Sequence, residues 1–218
     1  MSCLQKNSPA ATRSLVFGTG NRKKVAELAT LLSPLRLDLQ TLADFPAPLA
    51  IDEIGKSFAE NAALKATRQA AHLGCWVLGD DSGLVVDALH GAPGIFSARF
   101  AGPAATDADN REKLLAELKT VEPGRRTAHF VCHLALADPT GTLRAESTGR
   151  CQGRIRLEAS GSGGFGYDPL FEVVEYHRTF GQLSPAVKSC LSHRARAMHA
   201  LVPRLVALIE AGEWGTRG

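Results

Sequence analysis

Apolar residues in this chain fall into two patterns, short continuous runs and longer stretches in which they recur every three or four positions. The run Leu15-Val16-Phe17 has the character of a buried strand and ends in Gly18-Thr19-Gly20. Asn21 then stands where a helix N-cap belongs, and Val25, Leu28, Ala29, Leu32 and Leu35 follow at helical spacing. Ser33-Pro34 is expected to end or fray that helix, before a second strand around 37–42. A polar, proline-rich loop covers Asp44 to Lys56. Ser57 and Glu60 form a capping-box pair for a helix carrying Phe58, Ala62, Leu64, Ala66 and Ala70, which stops near Gly74. Cys75 to Leu78 reads as a strand that enters a turn at Gly79-Asp80-Asp81-Ser82-Gly83, and Leu84 to Leu89 as a further strand.

Beyond a Gly/Pro-rich loop at 90–105, the polar-faced stretch Thr106 to Lys119 predicts a helix. A hairpin follows, about 127–137 and 142–150 around the turn Asp138-Pro-Thr-Gly141, and Arg150 to Leu157 extends it. Gly161 to Pro169 is a second glycine-rich loop, leading to a strand at Leu170 to Val174. Ser184-Pro185 opens a final helical region through Leu191, Ala195, Met198 and Leu201, which Pro203 is expected to kink or divide before Leu205 to Ile209 completes it. Residues 1–13 and 213–218 read as tails around a single domain at 14–212. Helices alternating with strands, with a hairpin in the middle, give an α/β domain with a mixed sheet.

Composition narrows the function. With 218 residues, 44% of them hydrophobic and 22% charged, the chain can bury a core without metal or disulfide staples. A net charge of +3 with no Lys/Arg run longer than Arg22-Lys23-Lys24, and only 6% aromatic residues, argue against a nucleic-acid binder. No apolar run approaches the ~18–20 residues of a membrane span, and Met1 to Arg13 lacks the apolar core of a secretory signal. The five cysteines make no close pair, so a reducing cytoplasm is the simplest compartment. His129, Cys132 and His133 invite a metal reading. On a strand, however, the two histidines lie about 13 Å apart with Cys132 on the opposite face, so they cannot share an ion.

Five places offer chemistry. Thr19-Gly20-Asn21-Arg22-Lys23-Lys24 lies at a strand-to-helix junction, where free N–H groups bind phosphate. Three cations at a helix start oppose the dipole, a conflict that an anion relieves. Asp80-Asp81 follows a buried strand, and hard oxygens there suit Mg²⁺. Neighbouring side chains diverge, so one carboxylate is expected at the metal and one in support. Asp52-Glu53 is a candidate second ligand, and Lys65 sits on an apolar, alanine-rich helix. In Gly163 to Pro169, Phe165 and Tyr167 could stack a base and Asp168 could accept from a purine N–H. Lys188 and Ser192-His193-Arg194 offer donors to a carbonyl or phosphate.

Six blocks in this order resemble the Ham1/inosine triphosphate pyrophosphatase family. They are Thr19 to Lys24 with Glu27, Ser57 to Ala66, Asp80 to Leu89, Gly91 to Gly102, Gly161 to Pro169, and Ser192 to Arg194. The resemblance spans Leu15 to about Leu208, with Gly79 in place of the usual Ala and Phe100 in place of the usual Tyr. It implies an elongated mixed sheet flanked by helices, with two lobes around a central cleft. It also implies a cytoplasmic, homodimeric, Mg²⁺-dependent hydrolase that turns the non-standard purine nucleotides ITP, dITP and XTP into the monophosphate and pyrophosphate. By position, Thr19, Gly20, Asn21, Arg22, Lys23 and Lys24 would cradle the triphosphate. Asp81 would be the catalytic base and a metal ligand, Glu53 the second metal ligand, and Ser82 a substrate contact. Phe165, Gly166, Tyr167, Asp168, Lys188, His193 and Arg194 would hold the nucleoside, with Lys65, Arg99 and Asp80 in further phosphate or structural roles. The alternatives are a Maf-type house-cleaning pyrophosphatase with another base preference, and a silent nucleotide-binding module.

Overall fold

The structure, a computed structural model, describes residues 13–215. Its seven-stranded sheet has the order β2-β1-β3-β4-β5-β6-β7. The strands are β1 (Ser14–Phe17), β2 (Asp38–Thr41), β3 (Val77–Val86), β4 (Thr127–Ala137), β5 (Leu143–Ile155), β6 (Phe171–Val173) and β7 (Arg178–Thr179). The pairs β1–β2 and β1–β3 are parallel and the remaining pairs antiparallel, so the sheet is mixed, as the element pattern predicts. The helices are α1 (Arg22–Leu32), α2 (Phe58–Leu73), α3 (Asp107–Glu117), α4 (Pro185–Leu191) and α5 (His193–Glu210).

Strands β3 and β4 run through three hydrophobic clusters. At one end of the sheet, Leu78, Cys132, Leu134 and Leu136 pack with α1 and α5 on one face, while Val77, Ala135 and Ala137 pack with α2 on the other. Farther along, Leu84, Val86, Ala128 and Phe130 join a third cluster with Leu114 and Leu118 on and just beyond α3. The two halves meet at residues 79–83, the waist of the molecule. Glycine brings helices into direct contact with the sheet here. A Cβ at Gly79 would lie 2.2 Å from the Ala62 carbonyl of α2, and one at Gly149 would lie 2.1 Å from the His193 carbonyl at the start of α5.

Three expectations are corrected. Residues 79–83 form no turn, because β3 is one continuous strand hydrogen-bonded residue by residue to β4 from Val77 to Val86. Asp-Ser-Gly favours a turn locally, but the ladder on a long neighbouring strand outweighs that preference. The final helical region breaks at Ser192, whose extended backbone caps α5, and Pro203 sits inside an unbroken helix. Proline leaves the carbonyl four residues earlier unpaired, and His199 there is exposed to water. Finally, residues 213–214 are not a tail, since Trp214 is fully buried and stacks on Trp76 at 4.6 Å. Arg13 Nε donates to the Trp214 carbonyl at 2.8 Å, and the rest of the tail read at 1–13 lies outside the described residues.

Candidate active site

Alternation along β3 sends its two adjacent carboxylates to opposite faces at the waist. Asp80 points toward α1 and α5 and is wholly buried. It accepts from Lys24 Nζ, from Arg194 Nε at 3.3 Å and from Cys132 Sγ at 3.1 Å. The Arg194 guanidinium continues to Glu27, which also accepts from Lys188 Nζ at 2.7 Å, and Lys188 donates to Asp168 at 2.6 Å. Cations and anions therefore alternate through Lys24, Asp80, Arg194, Glu27, Lys188 and Asp168. Burial pushes the Asp80 carboxyl up, but Lys24 and Arg194 outweigh it and hold the group well below the usual carboxylate range.

Asp81 faces α2. Its Oδ1 accepts from Lys65 Nζ at 3.1 Å and its Oδ2 from Asn61 Nδ2 at 3.2 Å. The same Lys65 ammonium donates to Glu53 at 2.9 Å, and Arg99 donates to the other Glu53 oxygen at 3.2 Å. Glu53 belongs to a loop without regular structure, so α2 has to place it. Asn61, Lys65, Gln69 and His72 stand on successive turns of one helix face. Asn61 accepts from the Gly55 amide, Gln69 accepts from the Leu49 amide at 3.1 Å, and His72 bonds the Ala47 carbonyl at 2.7 Å. Burial raises the Asp81 carboxyl above its ordinary value, although Lys65 and Lys24 oppose the shift. Burial alone would depress Lys65, but the Asp81 and Glu53 carboxylates raise it. Glu53 is lowered, since Lys65 and Arg99 outweigh its burial.

Both halves open on one cleft of about 380 Å³. Among the residues singled out in the sequence, Thr19, Gly20, Asn21, Lys24, Glu53, Lys65, Asp81 and Ser82 line it. So do Phe165, Gly166, Tyr167, Asp168, Lys188, His193 and Arg194. Arg22, Lys23, Asp80 and Arg99 do not. Arg22 is exposed at the start of α1, Lys23 sits at the rim with its ammonium 3.7 Å from Asp107 and 5.6 Å from the Phe165 ring centre, and Arg99 reaches the site through Glu53. Asn21 caps α1 as read, its Oδ1 accepting from the amides of Lys23 and Lys24 at 3.0 and 3.2 Å.

Of the two aromatic residues expected to stack a base, Tyr167 instead turns into the third core and donates its hydroxyl to the Ser97 carbonyl at 2.9 Å. Phe165 is half-buried, with Lys188 at 4.8 Å and Arg194 at 5.8 Å from its ring centre. Asp168 already accepts from Lys188 and from the Phe165 amide at 2.7 Å, so it orders the loop as well as lining the cleft. His193 is buried and stacked on Phe130 at 4.7 Å, and its Nδ1 has no hydrogen-bond partner among the described residues. Burial, with Arg194 and Lys188 adding to it, keeps this imidazole neutral. Ser82 accepts from Arg194 at 2.9 Å. Glu27 and Asn61 carry no chemical signal in the sequence beyond their places in the family blocks, because only the fold brings them to Arg194 and Asp81.

Among the described residues, no group of three or more His, Cys, Asp or Glu side chains converges on one point. Glu53 and Asp81 nevertheless share one ammonium at the cleft wall and present hard oxygens with spare lone pairs. That donor set fits a small divalent cation whose other ligands come from a bound polyanion and water.

The mixed sheet with helices packed on it and a polar cleft at its waist define an α/β protein. The chain belongs to the Ham1 family, whose model matches residues 15–204. It is 51% identical over 197 residues to a dITP/XTP pyrophosphatase of Rhodopirellula baltica, covering 90% of this chain and 95% of that protein. It is 45% identical over 196 residues to one from Listeria monocytogenes, covering 90% and 96%. A solved Ham1 protein from Coxiella burnetii superposes with a TM-score of 0.82 at 37% identity, covering 90% of this chain and 100% of that one.

Proposed function

We propose that this chain is a Mg²⁺-dependent nucleoside triphosphate pyrophosphohydrolase that converts ITP, dITP and XTP to the monophosphate and pyrophosphate, and so cleanses the nucleotide pool. The observation that carries this reading is the Glu53–Lys65–Asp81 cluster, which shares one cleft with the start of α1. The names of the curated relatives point to the same reaction. With the family resemblance we also infer a cytoplasmic homodimer, whose mass sedimentation equilibrium would give.

In this reading Thr19 to Asn21 and Lys24 hold the triphosphate at the positive end of α1. Glu53 and Asp81 would hold Mg²⁺, which when bound neutralises phosphate charge and acidifies water. Asp81 takes a proton from the attacking water, its carboxylate fixed by hydrogen bonds from Lys65 and Asn61. Lys65 orients Asp81 and stabilises charge that develops on the departing pyrophosphate. On the nucleoside side, the amides of His193 and Arg194 in the first turn of α5 have no acceptor among the described residues. They suit the 6-oxo group of inosine or xanthine. The 6-amino group of adenine would leave them unpaired, and buried unpaired donors discriminate strongly.

The direct test is incubation of the protein with ITP, XTP, dITP, GTP and ATP, with and without Mg²⁺, and resolution of the products. Monophosphate and pyrophosphate from ITP and XTP, and only with metal, are expected. Diphosphate and phosphate would overturn the bond assignment, a different base preference would favour the Maf-type alternative, and binding without turnover would favour the silent module. The pH dependence gives a second test. The base acts ionised, so kcat/KM falls as pH drops through the Asp81 pKa. Lys65→Met removes the ammonium that opposes the burial shift, and the acid limb of the profile should then move to higher pH. An unmoved limb in an active variant would separate Asp81 from the acid limb.

A further inference from the structure

The glycine-rich loop before β6 has no regular structure around Phe165, yet α3 holds it at a definite place. Gly166 has a left-handed backbone, φ +59°, which glycine adopts without strain. Both of its backbone polar groups are taken by α3. The Gly166 amide donates to Asp107 Oδ2 at 2.9 Å, and the Gly166 carbonyl accepts from Arg111 Nη1 at 2.8 Å. Asp107 and Arg111 are four residues apart and so share one helix face. The helix is itself anchored. Asn110 is buried, accepts from the Ala101 amide at 2.8 Å and donates to the Ala98 carbonyl at 3.1 Å, while Leu114 sits in the third core. Position therefore passes from that core through α3 to Gly166, and from Gly166 to Phe165 and Tyr167 on either side.

We propose that Asp107 and Arg111 are positioning residues for nucleoside recognition, a two-point clamp on Gly166 that sets the loop against His193 and Arg194 across the cleft. The proposal rests on the nucleotide reading given above. Phosphate is gripped in that reading by the start of α1 and by α2, which the clamp meets only through the exposed Asp107–Lys23 pair. Losing the clamp should therefore weaken recognition of the base and leave the grip on phosphate intact. A residue that merely stabilised the fold would not separate the two.

The test uses Asp107→Ala, Arg111→Met and the conservative Asp107→Asn, which keeps an acceptor for the Gly166 amide. Asp107 also lies 3.7 Å from Lys23, an exposed pair that Arg111→Met leaves in place, so agreement between the two disruptive variants assigns the effect to the loop. Measured are KM and kcat for ITP, kcat/KM for ATP, the inhibition constant of imidodiphosphate as a phosphate-only probe, and Tm. In Asp107→Ala and Arg111→Met, KM for ITP should rise about tenfold and the ITP-to-ATP preference should fall about tenfold, the scale of one misplaced recognition contact. Imidodiphosphate inhibition should not change, and Asp107→Asn should keep most of the preference. If Asp107→Ala does not fold, Arg111→Met and Asp107→Asn carry the comparison. An unchanged preference, or an imidodiphosphate constant that worsens in step with KM, overturns the clamp. Wild-type protein that fails to turn over ITP overturns instead the reaction on which the proposal rests.

Discussion

Asp81→Asn is expected to lose about a thousandfold in kcat, the typical scale of a general base, without any fall in Tm. The first half follows from position. Asp81 is the carboxylate of β3 that opens on the cleft, and it shares Lys65 with Glu53. The amide cannot take a proton from water, but its oxygen still accepts from Lys65. The second half follows from the direction of the pKa shift. A carboxyl whose folded pKa lies above its unfolded value is held ionised at neutral pH at the expense of stability. Replacing it with a neutral group of the same shape removes that cost, a trade between activity and stability common at active sites. Thermal unfolding and single-turnover kinetics on one preparation would check both halves. Retained turnover would remove Asp81 as the base, and a large fall in Tm would show that its charge stabilises the fold.

Asp80→Asn should behave in the opposite way, although the two residues are adjacent. Asp80 is fully buried and paired with Lys24 and Arg194, and its folded pKa is depressed. Neutralising it removes the carboxylate partner of Lys24 and leaves Arg194 with Glu27 alone as counter-charge, and losing one partner of a buried pair costs about 3–5 kcal/mol. For a domain of this size that corresponds to a fall in Tm of roughly 10 °C. The sign with pH follows from the depressed pKa. The Asp80 contribution is complete above the ordinary carboxylate pKa and is lost as pH falls toward the folded value. Wild-type stability should therefore decline below about pH 5, and the gap between wild type and Asp80→Asn should narrow there. A variant with wild-type Tm at pH 7 would mean that Lys24 and Arg194 find other partners.

Arg194 and Lys188 belong to the same charge network, so their substitution also mixes binding with stability. Lys188 bonds both Glu27 and Asp168, and Arg194 bonds Glu27, Asp80 and Ser82. Kinetic effects at these positions are interpretable only beside a stability measurement. Cys132, by contrast, lies on the Asp80 face of β4, where burial pushes its thiol well up, while His133 bonds Thr148 and Glu146 of β5.

Most elements were legible because their signals are local. The caps at Asn21 and Ser57 and the apolar spacing of α1 and α2 depend on residues within a turn or two, and they appear where the sequence places them. The hairpin of β4 and β5 was equally plain, since alternation and a compact turn mark it. The divergence of Asp80 and Asp81 was expected of neighbouring side chains, although the sequence put the pair in a turn and the structure puts it on β3. The sequence by itself thus determined the element types, the family blocks and the short list of chemical groups. Tertiary structure decided which of those groups meet. It kept β3 straight through Asp-Ser-Gly because β4 supplies a partner at every residue, and it moved the helix break from Pro203 to Ser192. It turned Tyr167 into the core and left Phe165 at the cleft. It brought Glu27 to Arg194 across 167 positions of chain. Charge pairing and burial depend on distance in space, and a sequence records only distance along the chain.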